Sequence, residues 1–185
     1  MSTQTAAESR RYTYRDYLTF PEDLRCEIID GKLHDMTPSP TPGHQRVSVE
    51  ICFLIRDHLR KHAQGCQVFD APLDVVIAED QVVQPDVFIV CDRQKIEKTR
   101  ILGAPDVIFE ILSPSSSLKD RREKMDLYER AGVGEYFLVD PDGKYIEKFL
   151  LSAGKYYRAA IYAEDAPFFI DAIGLELKAG EVFAE

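Results

Sequence analysis

The sequence predicts an α+β fold, a mixed β-sheet core flanked by helices, in a single domain over residues 1–185. Three observations predict it. Val87 to Val90 and Val107 to Leu112 are short, continuous runs of β-branched and aromatic residues, the pattern of strands buried on both faces. Tyr136 to Val139, Tyr145 to Leu151 and Lys155 to Tyr162 are three consecutive strand-like runs joined by turn signals at Pro141 to Gly143 and Ser152 to Gly154. Two helical segments accompany these strands, and no internal repeat, long linker or low-complexity tract divides the chain.

From the N-terminus, Thr13 caps a short helix reaching Leu18, with Asp16 at the third position of a capping box and Pro21 ending the segment. Cys26 to Ile29 and Leu33 to Met36 read as a hairpin around Asp30-Gly31, and Thr37 to Gly43, with its prolines, is the loop that follows. From His44 to about His62, Val47, Ile51, Leu54, Ile55, His58 and Leu59 recur at three-residue and four-residue steps, the stripe of an amphipathic helix that Gly65 stops. Val68 to Ile77 is one bent strand or two short ones about Pro72, and Ala78 to Gln81 is an exposed turn. Asp92 to Leu102 is charged and helical or looped, and Ser113-Pro114 with the serines after it ends the second central strand. Leu118 to Ala131 is the second helix, with Met125, Tyr128 and Ala131 inward and Gly132 as its C-terminal cap.

A net charge of −9, from 23 Lys and Arg against 32 Asp and Glu, argues against a protein that coats DNA or a membrane by counterion release. A local basic patch remains open, since Arg56, Arg60 and Lys61 lie near one helix end and Lys119, Arg121, Arg122 and Lys124 near another. The first residues lack the apolar run of a secretory signal and no apolar segment approaches the ~20 residues of a membrane span, so a cytoplasmic location is expected. Cys26, Cys52, Cys66 and Cys91 form no CxxC pair and are expected as reduced core thiols.

Glu27, Asp86 and Glu110 each stand at the edge of, or inside, an otherwise apolar strand pattern. Glu110, between Phe109 and Ile111, is costly there unless it meets a metal, a cation or water. Asp86 follows Pro85, which sets an extended approach to the next strand. Two carboxylates on adjacent strands suit Mg²⁺ or Mn²⁺, which prefer oxygen ligands and retain water, and Lys124 lies on the helix directly after the Glu110 strand. The other reading of the same residues is structural: Asp86 caps a turn, and Glu110 makes an internal ion pair with Lys124 or Arg121.

Several stretches, taken in order, carry a family resemblance. They are Glu27-Ile28-Ile29-Asp30-Gly31, Pro38-Ser39-Pro40 with Gly43-His44-Gln45, Val83-Gln84-Pro85-Asp86, Gly103-Ala104-Pro105-Asp106, Glu110-Ile111-Leu112-Ser113-Pro114-Ser115, Lys124 to Tyr128 and Val139-Asp140-Pro141. Over roughly Tyr12 to Tyr157 the chain resembles the Uma2 family of the PD-(D/E)xK restriction-endonuclease-like superfamily. That resemblance implies a restriction-endonuclease-like core, with Glu27 an accessory acidic residue and Asp86 and Glu110 the first and second metal carboxylates. The superfamily lysine normally stands two residues after the second acid, where this chain has Leu112; the resemblance assigns its role to Lys124, with Tyr128 one turn later. His44 is an accessory candidate for contact with the metal water or a phosphate, or else ties down the Pro-rich loop by hydrogen bonding; Gln84 orients a ligand or makes a backbone contact; and His34, His58 and His62 receive no catalytic role.

The implied function is hydrolysis of DNA phosphodiester bonds by a Mg²⁺-dependent or Mn²⁺-dependent endonuclease. The chain would act through a focused cleft or as a homodimer built on the C-terminal hairpins. The alternative is a catalytically silent interaction module that keeps the nuclease fold. Lys124 is expected on one helix face with Asp120 and Tyr128; its other reading is a surface salt bridge with Asp120.

Overall fold

The computed structural model describes residues 10–21, 23–36, 39–62, 65–113 and 120–184, without the side chains of 120 and 121. A six-stranded mixed sheet forms the centre, in the order β11-β10-β9-β8-β6-β3. Its strands are β3 (Gln67–Asp70), β6 (Val87–Val90), β8 (Val107–Ile111), β9 (Glu135–Asp140), β10 (Tyr145–Ser152) and β11 (Lys155–Ala163). The pairs are antiparallel except β8 and β9, which run parallel. Parallel neighbours require a crossover. Here it is a π-helical turn over Asp120–Lys124 that runs into a short α-helix, Met125–Ala131, and this geometry carries Lys124 over the sheet.

A second sheet has the order β2-β1-β5-β4-β7, from β1 (Cys26–Ile29), β2 (Lys32–Asp35), β4 (Val75–Ala78), β5 (Gln81–Val83) and β7 (Ile101–Leu102). The β1–β2 turn places Asp30 at φ 51° and Gly31 at φ 72°, the left-handed backbone the Asp-Gly pair tolerates. The capping box is present: Thr13 and Asp16 bracket α1 (Tyr14–Tyr17). The long helix α2 spans Pro42–His62. Labelling the crossover helix α3, the chain ends in an antiparallel pair, β12 (Pro167–Ile170) and β13 (Leu175–Lys178), followed by α4 (Ala179–Val182).

Strand alternation divides the core between two faces. One face of the central sheet (Val87, Ile89, Val107, Phe109, Ile111, Phe137) packs against Val47, Ile51, Ile55 and Leu59 of α2 and against the C-terminal β12–β13 hairpin. The other (Phe88, Val90, Ile108, Leu112, Tyr136, Leu138) packs against Leu127 and Tyr128 of α3 and against Ile29, Val75, Val83 and Ile101 of the second sheet. With period two, Glu110 shares the face of Ile108 and Leu112, and Glu27 shares the face of Ile29. The two carboxylates therefore meet where the sheets are packed together.

The structure corrects four expectations. Cys66 and Cys91 are joined in a disulfide, because the antiparallel β3–β6 ladder, which pairs Gln67 with Val90, brings the next residues opposite each other. Cys26 and Cys52 are the free thiols. The second helix is not α-helical throughout: Asp120–Lys124 is a π turn, and the α-helical spacing holds from Met125 to Ala131. Leu118 and the side chain of Asp120 lie outside the described residues, and Leu127 joins Tyr128 as the fully buried pair of α3. Gln81 is buried rather than part of an exposed turn, since it opens β5 and its amide exchanges hydrogen bonds with Asp30. Finally, Asp92 to Leu102 contains a 3₁₀ turn, Arg93–Lys95, and the strand β7.

Candidate active site

Lys124 is the hub of a buried ionic cluster. Its Nζ lies 2.9 Å from Glu110 Oε1 and 3.1 Å from Glu27 Oε1. Glu27, Glu110 and Lys124 are 1%, 2% and 5% exposed, which rules out the surface salt bridge. Tyr128, one turn further along α3, donates its hydroxyl to Glu110 Oε1 at 2.7 Å, so it fixes the carboxylate besides covering it. Glu27 Oε1 also accepts the backbone N–H of Gln84 at 3.1 Å. Two like charges at this depth persist because one ammonium and several donors converge on them.

Asp86 enters from the next strand. Extending the β6–β8 register, in which Val87 faces Phe109, puts Asp86 opposite Glu110. Asp86 Oδ2 accepts the backbone N–H of Ile111 at 2.7 Å and lies 3.3 Å from His44 Nε2, in the first turn of α2. The seven residues singled out from the sequence thus form one connected set: Glu27, Glu110, Lys124 and Tyr128 by side-chain contacts, Gln84 through its backbone, and Asp86 with His44 through the residue after Glu110. The internal ion pair between Glu110 and Lys124 is present, as the structural reading anticipated.

The sequence reading missed the shell behind this set. Gln84 Nε2 donates to Asp74 Oδ1 at 2.8 Å and Tyr17 Oη donates to the same oxygen at 2.9 Å, tying α1 to the strand segment that carries Asp86. Burial, with Asp74 beside it, pushes the Tyr17 phenol well above its ordinary value. His34, cross-strand partner of Glu27, sits 3.1 Å from Glu123 Oε2 and so restrains the residue before Lys124. No local motif marks Asp74 or Glu123. Other matched motifs are architectural: Asp106 Oδ2 accepts the N–H of Cys91, and Asp140 Oδ1 accepts the N–H groups of Asp142 and Gly143 in the β9–β10 turn.

The basic cluster Arg56 to Lys61 stays at the far end of α2, beginning 12 residues beyond His44, or roughly 18 Å along the axis at ~1.5 Å per residue. Among the described residues, no group of three or more His, Cys, Asp and Glu is arranged to hold a metal ion. Mg²⁺ keeps several waters and takes one or two carboxylates, so the donor set to weigh is the pair Asp86 and Glu110 on adjoining strands.

A mixed sheet with an acid at one strand's start, a glutamate within its neighbour and a lysine delivered by the crossover defines a restriction-endonuclease-like α+β protein of the PD-(D/E)xK superfamily. The chain belongs to the Uma2 family, whose sequence model, described as "Putative restriction endonuclease", matches residues 12–179. Its fold is similar to a crystal structure described as "a putative nuclease belonging to DUF820 from Anabaena variabilis ATCC 29413". That likeness has a TM-score of 0.75 at 23% identity and covers 92% of this chain and 97% of that one. The chain is also 30% identical over 128 residues to the "Uncharacterized protein slr1290" of Synechocystis sp. (strain ATCC 27184 / PCC 6803 / Kazusa). That match spans 67% of this chain and 66% of the relative, just under two thirds of its length. Among the described residues, no helix is long and apolar enough to cross a membrane.

Proposed function

We propose that the protein is a metal-dependent endodeoxyribonuclease whose chemistry is centred on Asp86, Glu110 and Lys124. The observation that carries this reading is the placement of Lys124. A chain with Leu112 at the usual lysine position nevertheless holds an ammonium 2.9 Å from the strand glutamate, supplied from the crossover. Asp86 and Glu110 would hold Mg²⁺ or Mn²⁺, which when bound supplies Lewis-acid stabilisation of a phosphate oxygen.

The chain's own residues do the rest. Lys124 presents positive charge beside Glu110, where negative charge develops on the attacked phosphate, and burial strengthens that interaction. Glu27 anchors the ammonium, Tyr128 orients Glu110, and His44 restrains Asp86. The net charge of −9 confines DNA binding to a focused surface around this site. A homodimer belongs to the same proposal, since β11 is an edge strand that leaves Tyr157 and Ile161 about half exposed. Analytical ultracentrifugation would check that part.

One observation favours a second reading, the catalytically silent interaction module. Glu27, Lys124 and Glu110 form a buried ion cluster of the kind that serves structure alone. Mn²⁺-dependent cleavage of supercoiled plasmid and of single-stranded and duplex oligonucleotides separates the two, using wild type, Asp86→Ala and Lys124→Ala with folding checked by circular dichroism. Hydrolysis by wild type, with a loss of about a hundredfold or more in each folded variant, is the expected result. A folded wild type inactive on every substrate would favour the silent module.

A further inference from the structure

On the face of the central sheet that carries Glu110, a cavity of about 370 Å³ is lined by Met125, Leu138, Glu147, Phe149 and Arg158. It adjoins the candidate active site: Met125 follows Lys124, and Leu138 is the cross-strand partner of both Glu110 and Glu147. Glu147 therefore lies two strand spacings from Glu110, about 10 Å across the sheet. Leu138 is fully buried, and Glu147 is a buried carboxylate 3.3 Å from Arg158, whose side chain is 56% exposed.

A bulge delivers that arginine. The β10–β11 register jumps from Lys148 opposite Ala160 to Phe149 opposite Arg158, leaving Ala159 as the extra residue. Without the jump Arg158 would stand opposite Leu150 and point to the other face; with it, Arg158 joins Phe149 and Glu147. The wall thus combines an apolar, aromatic surface with one buried carboxylate and one half-exposed guanidinium.

We propose that this cavity binds an unstacked guanine base. Guanine carries two adjacent donors, N1–H and N2–H₂, that match the carboxylate of Glu147, beside two adjacent acceptors, O6 and N7, that match a guanidinium fork. Adenine and cytosine each place a ring acceptor next to the amino group, which a carboxylate repels, and thymine offers one donor between two acceptors. Phe149 and Met125, both partly exposed, supply the apolar contact that a base face needs outside the helix. The cavity lies within the ~300–1,000 Å³ range of small-ligand sites. This inference rests on the nucleic-acid reading above only for the source of the base, which is either a strand running past Lys124 or a free guanine nucleotide.

The test is fluorescence anisotropy with short labelled oligo-dT strands bearing one central guanine, adenine or hypoxanthine, in EDTA so that no hydrolysis intervenes, with unlabelled dGMP as competitor. Wild type should bind the guanine strand at least tenfold more tightly than the adenine strand, with hypoxanthine, which lacks the 2-amino group, between them. Glu147→Gln should abolish the preference, whereas Lys61→Ala, in an exposed pair at the far end of α2, should keep it; if Glu147→Gln does not fold, Phe149→Leu and Arg158→Ala should each reduce it. Displacement by dGMP at concentrations comparable to the strand would identify the free nucleotide as ligand, and displacement by strands alone would identify nucleic acid. Equal binding of the guanine and adenine strands by folded wild type, or no binding of either strand or dGMP, would overturn the proposal. A guanine preference in a protein that cleaves nothing would leave it standing while removing the nuclease reading.

Discussion

Replacing Lys124 by methionine keeps the length of the side chain and removes the ammonium that pairs with both Glu27 and Glu110. The carboxylates are then left at 1% and 2% exposure, with Oε1 of each still accepting one hydrogen bond, from the Gln84 backbone and from Tyr128. Breaking a buried ion pair by removing one partner costs about 3–5 kcal/mol, because the remaining charge is neither solvated nor paired. The retained hydrogen bonds argue for the lower part of that range. At ~2–4 °C per kcal/mol for a chain of this size, the melting temperature should fall by roughly 6–20 °C. Equilibrium urea unfolding followed by circular dichroism at pH 7 reads the difference directly. Lys61→Ala is the control: its i,i+4 pair with Asp57 is exposed, so its loss should cost no more than about 0.5 kcal/mol. Adding Glu27→Gln and Glu110→Gln to Lys124→Met should restore most of the lost stability, since the charges that Lys124 had compensated are gone. A folded Lys124→Met protein within about 1 kcal/mol of wild type would refute the reasoning, because the carboxylates would then be stabilised by something other than the lysine.

Three further outcomes follow from groups outside that cluster. Denatured without reductant, the protein should show two titratable thiols, Cys26 and Cys52, and four after reduction; four before reduction would exclude the Cys66–Cys91 bridge. Burial pushes the Cys52 thiol up to about 12, with the Asp70 charge adding to it, from an ordinary value of 9.0. That leaves a thousandfold smaller thiolate fraction at pH 8, partly offset by greater nucleophilicity, so alkylation should run roughly 30-fold slower than for a free thiol. A mass-spectrometric rate equal to that of a small-molecule thiol would contradict this. Burial lowers the Lys148 ammonium, but its contacts with Asp171 and Glu135 outweigh that and hold it above its usual range. A raised folded-state value contributes stability that is complete below the unfolded value of ~10.4 and lost as pH rises through the folded one. Thermal melts from pH 8 to 11 should therefore lose stability more steeply at the alkaline end for wild type than for Lys148→Met, and parallel curves would count against the charge contribution.

Local chemistry made much of this protein legible before any contact was known. The Asp30-Gly31 turn, the Thr13–Asp16 capping box, the α2 stripe and the C-terminal meander depend on residues near one another in the chain, and each stands close to where it was expected. The buried runs at Val87 and Val107 are central strands because continuous apolar residues admit no wet face. The motif order also singled out the residues of the candidate site, including Lys124, which the crossover brings to Glu110.

Long-range pairing decided the rest. Period two says that Glu147 and Ile146 face opposite ways, but not which face meets a helix and which meets water; only the sheet order places Glu147 two strands from Glu110, beside a cavity. The Cys66–Cys91 bridge depends on a β3–β6 register between segments whose spacing carries no cysteine motif. Gln84 meets Glu27 through a backbone N–H, a group every residue but proline has, so the sequence marks Gln84 but not the carboxylate it meets. Sequence determined which elements form and which polar residues sit among apolar ones, because those properties are local. Tertiary structure decided which charges meet, because a buried charge finds its partner only when two sheets and a crossover close over it.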